Sequence, residues 1–307
     1  MARTKQQRRR PWNVEEGSAG AWPGYSRART KEEDKEGTNV HYEQPPEFFT
    51  TITGGTWKVY SCNLWDGATS VTDSQERKLD LLARLMDLQP GQRILDVGCG
   101  WAGPLIYLAK RYGVKGVGLT VSPVQKEDAD RRIREHGAEV EVHECHWREF
   151  ADADLFDVVF TDEVIVHFHD LQGFFEKVRK LLKPDGLMLN KELHFGSSKF
   201  LKFTRLGTFL SQIYGESGNY RMLHEELALL DQTGFLLERI EQIPIANYQK
   251  TADGWLANMQ CHRSRLEEMV GAEHYQRFRT YLRIVRKMHG SARPPMTLDV
   301  VAARSPA

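Results

Sequence analysis

The chain has 307 residues, with 42 Lys and Arg against 42 Asp and Glu, 40% hydrophobic and 27% charged. A formal net charge of zero gives no field that would draw it as a whole to nucleic acid or an anionic membrane, and no apolar run approaches the roughly 18–20 residues of a spanning helix. Cys62, Cys99, Cys145 and Cys261 are widely spaced with no CxxC pair, which argues against a disulfide framework or structural zinc and for a reducing compartment.

Residues 1–40 are polar and poor in aliphatics, so little of that stretch can bury a core. Its basic start, Lys5 and Arg8 to Arg10, runs into Pro11 and Trp12, which argues against a signal peptide. Trp12, Trp22 and Tyr25 leave two readings, a floppy tail or a lid that docks on this chain or a neighbour. Residues 41–307 read as one domain. Leu79, Leu82 and Leu85 recur at helical spacing over 75–88, ended by Pro90-Gly91. A strand over 93–97 enters Gly98-Cys-Gly-Trp-Ala-Gly103. There follow a helix (104–112), a strand (116–120), a charged helix (123–136) and strands over 140–145 and 156–161. An amphipathic helix (171–182), a Pro184-Asp185-Gly186 turn and a strand (187–193) come next. Residues 195–223, rich in aromatics and cations, read as a cap insertion. Strands over 236–245 and 296–302 enclose one long helical segment, 252–288. Strands alternating with helices predict an α/β fold with a mainly parallel sheet.

Gly98-x-Gly100-x-x-Gly103 matches the dinucleotide pattern. That reading requires an acidic residue ending the second strand, and here the strand ends in Thr120, Val121 and Ser122. Asp96, two residues before the first glycine, suits a ligand with positive charge near the turn. S-adenosylmethionine carries an ammonium and a sulfonium and lacks a pyrophosphate, so it fits better.

His41-Tyr-Glu-Gln-Pro-Pro-Glu-Phe-Phe49, Tyr60-Ser-Cys62, Leu95-Asp-Val-Gly-Cys-Gly-Trp101, Val117-Gly-Leu-Thr-Val-Ser-Pro-Val-Gln125, Trp147 and Asn247-Tyr-x-Lys-Thr-x-x-x-Trp255 together resemble the cyclopropane fatty acid synthase family of S-adenosylmethionine-dependent methyltransferases, over about residues 41–256. The resemblance implies a Rossmann-like class I methyltransferase fold with a seven-stranded sheet and a helical cap. It implies that Tyr60 and Ser61 close over the methionine end and that the turn of Asp96, Gly98 and Gly100 lies beneath it. Thr120, Val121 and Gln125 would address the ribose, with Trp147 and Arg148 flanking the adenine. Cyclopropane-forming members hold a bicarbonate base with Cys, Glu, His and Tyr. Cys62 and Tyr248 match, whereas the Glu position is Val166 and the His position is Lys191; this loss should dismantle the anion cage.

Glu163 and His167 are four apart, which on a helical turn puts them on one face. Plant alkaloid N-methyltransferases resembling this family use a Glu and a His at what look like these positions. Either residue can serve as a base, or Glu163 caps a helix and His167 is a satisfied core residue. Methyl transfer to an alkene leaves a carbocation, which needs aromatic faces and a base; Glu163 and Tyr248 are the catalytic candidates beside His167. Phe168, Phe200, Phe203 and Tyr220 are candidate substrate contacts. Lys199, Lys202 and Arg205 form a stripe that is either a solvated face or an anion site for a diphosphate, with Mg²⁺ as candidate metal and no metal ligands assigned. The chain thereby looks closer to terpenoid C-methyltransferases, which methylate prenyl diphosphates such as geranyl or farnesyl diphosphate, than to cyclopropane synthases. The alternatives are a cyclopropane or methyl-branched fatty acid synthase, a small-amine N-methyltransferase, and a non-catalytic cofactor-binding protein. A soluble, cytoplasmic homo-oligomer is expected, without nucleic-acid partner or integral membrane association.

Overall fold

Short apolar runs flanked by turns bury their backbone polar groups by pairing, and here they build one twisted layer. The computed structural model describes residues 44–203 and 219–307, with backbone alone for 201–203. Parallel strands β1 (Arg93–Val97), β2 (Lys115–Thr120), β3 (Val140–Glu144), β4 (Phe156–Asp162) and β5 (Leu182–Phe195) form most of the sheet. A two-residue strand β6 (Arg221–Met222) pairs with the end of β5. β7 (Leu236–Ile243) and β8 (Met296–Arg304) complete the order β3-β2-β1-β4-β5-β8-β7, with β8 antiparallel to both neighbours. The expected α/β fold with a mainly parallel sheet is what the chain adopts.

Helices cover both faces. Leu79 and Leu82 of α2 (Val71–Leu85) and Leu105 of α3 (Gly103–Tyr112) join Ile94 and Leu189 in one core. Phe174 and Phe175 of α5 (Leu171–Leu181) join Leu95 and Val159 in the other. A third, aromatic cluster joins α1 (Pro46–Thr53) to α7 (Ala246–Cys261), α8 (Arg263–Val270) and α9 (Ala272–His289) through Phe48, Phe49, Trp255 and Phe278. Among the described residues no helix is long and apolar enough to cross a membrane.

Three local expectations change. The segment over 252–288 is not one helix: it breaks at His262 and at Gly271, whose φ of 80° ends α8. Pro184-Asp185-Gly186 does not interrupt the strand; β5 runs through it with Asp185 at φ 61°, and the register against β4 shifts between Phe156 and Val158. α2 starts four residues early because Ser70 caps it, its hydroxyl accepting from Asp73 N–H at 3.1 Å. The N-terminal extension and the middle of the cap insertion, 204–218, lie outside the described residues.

Behind β5, His194 bridges two carboxylates: Nε2 meets Glu226 of α6 (Leu223–Gln232) at 2.8 Å and Nδ1 meets Asp299 of β8 at 3.1 Å. Burial opposes the imidazolium, but those two acids raise its pKa to about 9. Glu192 is pushed up to about 8, by burial first and then by the nearby Glu163 charge. Both groups hold protons in the folded chain that the unfolded chain releases. Their contribution is complete below the unfolded values, roughly 6.5 for His and 4.3 for Glu, and is lost as pH rises through about 8 and 9. Urea midpoints should therefore fall from pH 6.5 to pH 9, and His194→Gln should flatten that fall; an unchanged slope would contradict the assignment.

Candidate active site

The strand ends β1, β2 and β4 converge on one cleft with two connected halves. The first, enclosing about 680 Å³, is lined by Gly98, Gly100, Thr120, Val121, Gln125, Trp147, His167 and Phe168, among others. The second, about 520 Å³, is lined by Tyr60, Ser61, Asp96, Gly98, Gly100 and Trp101, and Glu163 borders both. The glycines do different work. A Cβ on Gly103 would lie 1.7 Å from the Trp57 carbonyl oxygen, so only glycine lets α3 start there. Gly100, at φ 53°, has nothing within 4 Å of where a Cβ would stand, leaving an open cradle above the turn.

Ser122 caps α4 (Pro123–His136) by accepting from Gln125 N–H at 3.3 Å, and Thr120 Oγ1 donates to Gln125 Oε1 at 2.7 Å, fixing that side chain in the wall. Trp147 sits across from them, 5.8 Å from Phe168. Arg148 supports the indole, its guanidinium 4.7 Å from the ring centroid and bonded to Asp170 at 3.4 Å. Two buried nitrogens on this wall, Trp147 Nε1 and His167 Nδ1, have no hydrogen-bond partner among the described residues. Burial lowers His167 to about 4, so its imidazole is neutral. Asp96 is 3% exposed and its acid is raised, by burial and then by Asp162, an environment in which a cationic ligand would be welcome. An open cradle, unpaired ring nitrogens and a buried acid fit an adenosyl sulfonium donor.

Glu163 does not share a helical face with His167. It adopts φ 60°, and a single 3₁₀ turn, Ile165–His167, follows. The sharp reversal, held by Glu163 N–H donating to Lys191 O at 2.7 Å, aims the carboxylate back over β5. There it accepts from Cys62 N–H at 2.8 Å and Tyr248 O–H at 2.7 Å, and pairs with Lys191 Nζ. The neighbouring Asp162 accepts from Ser61 Oγ and Lys191 Nζ, both at 2.8 Å, and pairs with Lys78. Lys78 and Lys191 are completely buried. Burial opposes the Lys191 charge, yet Asp162 and Glu163 hold its pKa above the ordinary lysine value; burial likewise opposes Asp162, whose lysine partners hold it below the carboxylate range. Cys62 is pushed up to about 12, chiefly by burial, and stays a thiol.

Tyr220 and Tyr281 lie within electrostatic reach of the same Glu163 carboxylate, and His289 stacks on Tyr248 with 4.4 Å between centroids. The structure thus brings Glu163, Tyr248 and Tyr220 together with Tyr281, His289, Lys78 and Asp162, which sequence reasoning missed. Lys78 left a trace, falling among Ser74, Gln75, Leu79 and Leu82 on the buried face of α2. His167 and Phe168 stand on the Trp147 side of the cleft. Phe200 packs against the core that holds Tyr248. The side chains of Lys202 and Phe203, and Arg205 entirely, lie outside the described residues. Among the described residues no group of three His, Cys, Asp or Glu could hold a metal ion.

A mainly parallel sheet of this order, with an acidic residue near the end of β1 and a glycine turn beneath the cleft, defines a class I, Rossmann-like methyltransferase. Residues 29–293 match the family described as mycolic acid cyclopropane synthetase, and the chain belongs to that family of S-adenosylmethionine-dependent enzymes. It is 28% identical over 267 residues to cyclopropane mycolic acid synthase MmaA2 of Mycobacterium tuberculosis, covering 80% of this chain and 90% of the relative. It is 32% identical over 161 residues to cyclopropane-fatty-acyl-phospholipid synthase of Escherichia coli, covering 52% and 40%. The solved structure of M. tuberculosis MmaA2 superposes with a TM-score of 0.81 at 23% identity, over 88% of this chain and 98% of that one.

Proposed function

We propose that the chain is an S-adenosylmethionine-dependent C-methyltransferase acting on a double bond of an apolar chain, with Glu163 accepting the proton released by the resulting carbocation. The observation that carries this reading is the Glu163 carboxylate itself, held by Cys62 N–H, Tyr248 O–H and Lys191. Tyr60, Ser61, Asp96, Gly98, Gly100, Thr120, Val121, Gln125 and Trp147 would hold the donor, which when bound supplies an electrophilic methyl group. A carboxylate carried by the chain takes the place of a diffusible anion, which accounts for Val166 and Lys191 standing where an anion cage would need Glu and His.

The reaction balances simply. The alkene gives its π electrons to the methyl carbon, the carbon–sulfur bond gives its pair to sulfur, and a carbon–hydrogen bond of the cation gives its proton to Glu163. Proton loss from the new methyl closes a cyclopropane; loss from a neighbouring chain carbon leaves a methyl-branched alkene. The phenol rings of Tyr220, Tyr248 and Tyr281 would face the positive charge. The names of the relatives support an unsaturated acyl lipid as substrate. The replaced anion cage favours the second reading, an isoprenoid diphosphate, which stands apart from those relatives.

The test is incubation with methyl-labelled S-adenosylmethionine in bicarbonate-free buffer, with unsaturated phosphatidylglycerol vesicles or with geranyl and farnesyl diphosphate. Addition of one CH₂ to either class is expected, and product NMR separates ring from branch. No labelled product with either class would end this reading.

A further inference from the structure

A further cavity lies away from the cofactor cleft. It encloses about 920 Å³ between the end of α9 and the start of the cap insertion, with Phe200, Ile284, Met288 and Pro295 as apolar wall and Lys287 and Arg293 at its border. Both cations are exposed, and among the described residues neither makes an ion pair. Helix-end charge balance explains part of the basic character, Arg286 is committed to Asp253 and Arg277 to Glu273. It does not explain the run as a whole: from His274 to Leu298 there are six Lys and Arg (Arg277, Arg279, Arg283, Arg286, Lys287, Arg293) and no Asp or Glu. In a chain of zero net charge, that is a local positive field beside an apolar groove.

The groove also adjoins the chemistry. Phe200 and Met288 pack on the core cluster that contains Cys62 and Tyr248. The residue after Met288, His289, stacks on Tyr248, whose hydroxyl donates to Glu163.

The geometry points to this groove as the seat of the substrate's head: a phosphate ester carried on an apolar chain, its phosphate between Lys287 and Arg293 and its first carbons on Phe200 and Met288. This rests on the alkene-methylation reading for what happens farther along the chain, but the binding does not depend on it. A phosphate gains charge-assisted hydrogen bonds from both cations that a hydroxyl cannot match.

The probe is dodecyl phosphate against dodecanol, titrated into the full chain below the micelle concentration and followed by tryptophan fluorescence. The phosphate should bind at least roughly tenfold more tightly. The double variant Lys287→Ala/Arg293→Ala should lose that margin while keeping the parent's dodecanol affinity, S-adenosylhomocysteine affinity and melting midpoint. Equal binding of the two probes by the parent chain, or an unchanged margin in the variant, would overturn the assignment. Turnover then separates the sources: a raised KM with unchanged kcat on farnesyl diphosphate marks a free phosphate ester, and the same split on phosphatidylglycerol vesicles marks a lipid headgroup. If the parent chain methylates neither, the alkene reading falls while the binding result stands.

Discussion

Glu163→Gln is expected to lower kcat by roughly 10²–10⁴, the usual worth of a positioned proton acceptor, while leaving S-adenosylhomocysteine affinity near that of the parent chain. The substitution keeps length and shape and removes only the ability to take a proton. The position allows a sharper version of the test. Glu163 sits at φ 60°, a conformation that costs a non-glycine residue about 1–2 kcal/mol, so Glu163→Gly relaxes the backbone as it deletes the carboxylate. The gap keeps its donors, Cys62 N–H, Tyr248 O–H and Lys191. Added formate or bicarbonate should enter it and restore part of the rate in the glycine variant and not in the glutamine one. A glutamine variant as fast as the parent would remove Glu163 from the chemistry.

Lys191→Met should cost about 3–5 kcal/mol of unfolding free energy, because it leaves the buried Glu163 carboxylate without its counter-charge and Asp162 with Lys78 alone. Asp162 and Glu163 both lean on this one ammonium, and Lys78 reaches only Asp162. The loss is read from urea unfolding at pH 8. Adding Glu163→Gln to Lys191→Met should recover part of the stability, since the pair couples directly. Additive losses in the double variant would show that the pairing carries no energy of its own.

These two side chains also show where sequence reading reached and where it stopped. The parallel frame was legible because buried strands such as the one with Val158-Val-Phe160 carry short apolar runs between turn signals, and in Ile94-Leu-Asp-Val97 only Asp96 interrupts. The glycine turn was legible because its spacing answers a local steric demand. The charge cluster was not. Lysine is an exposed residue by default, and apart from the place of Lys78 on the buried face of α2 nothing local marks Lys78 or Lys191 as buried. Their partners lie 84 and 29 positions away in Asp162, and Tyr248 lies 85 positions from Glu163, distances that only the finished topology closes. The supposed helical face shared by Glu163 and His167 failed for a related reason: spacing of four means a common face only where the backbone is helical, and Glu163 is left-handed.

The place of β8 has a consequence for how the molecule is made. Residues 296–304 are translated after every other described strand, yet they lie between β5 and β7 and hydrogen-bond to both. Until they leave the ribosome, those two strands have no partner between them and each offers a bare edge to other nascent chains. The gap between two earlier strands is therefore filled by the last made of the described strands, and shielding by chaperones would matter most until β8 has emerged.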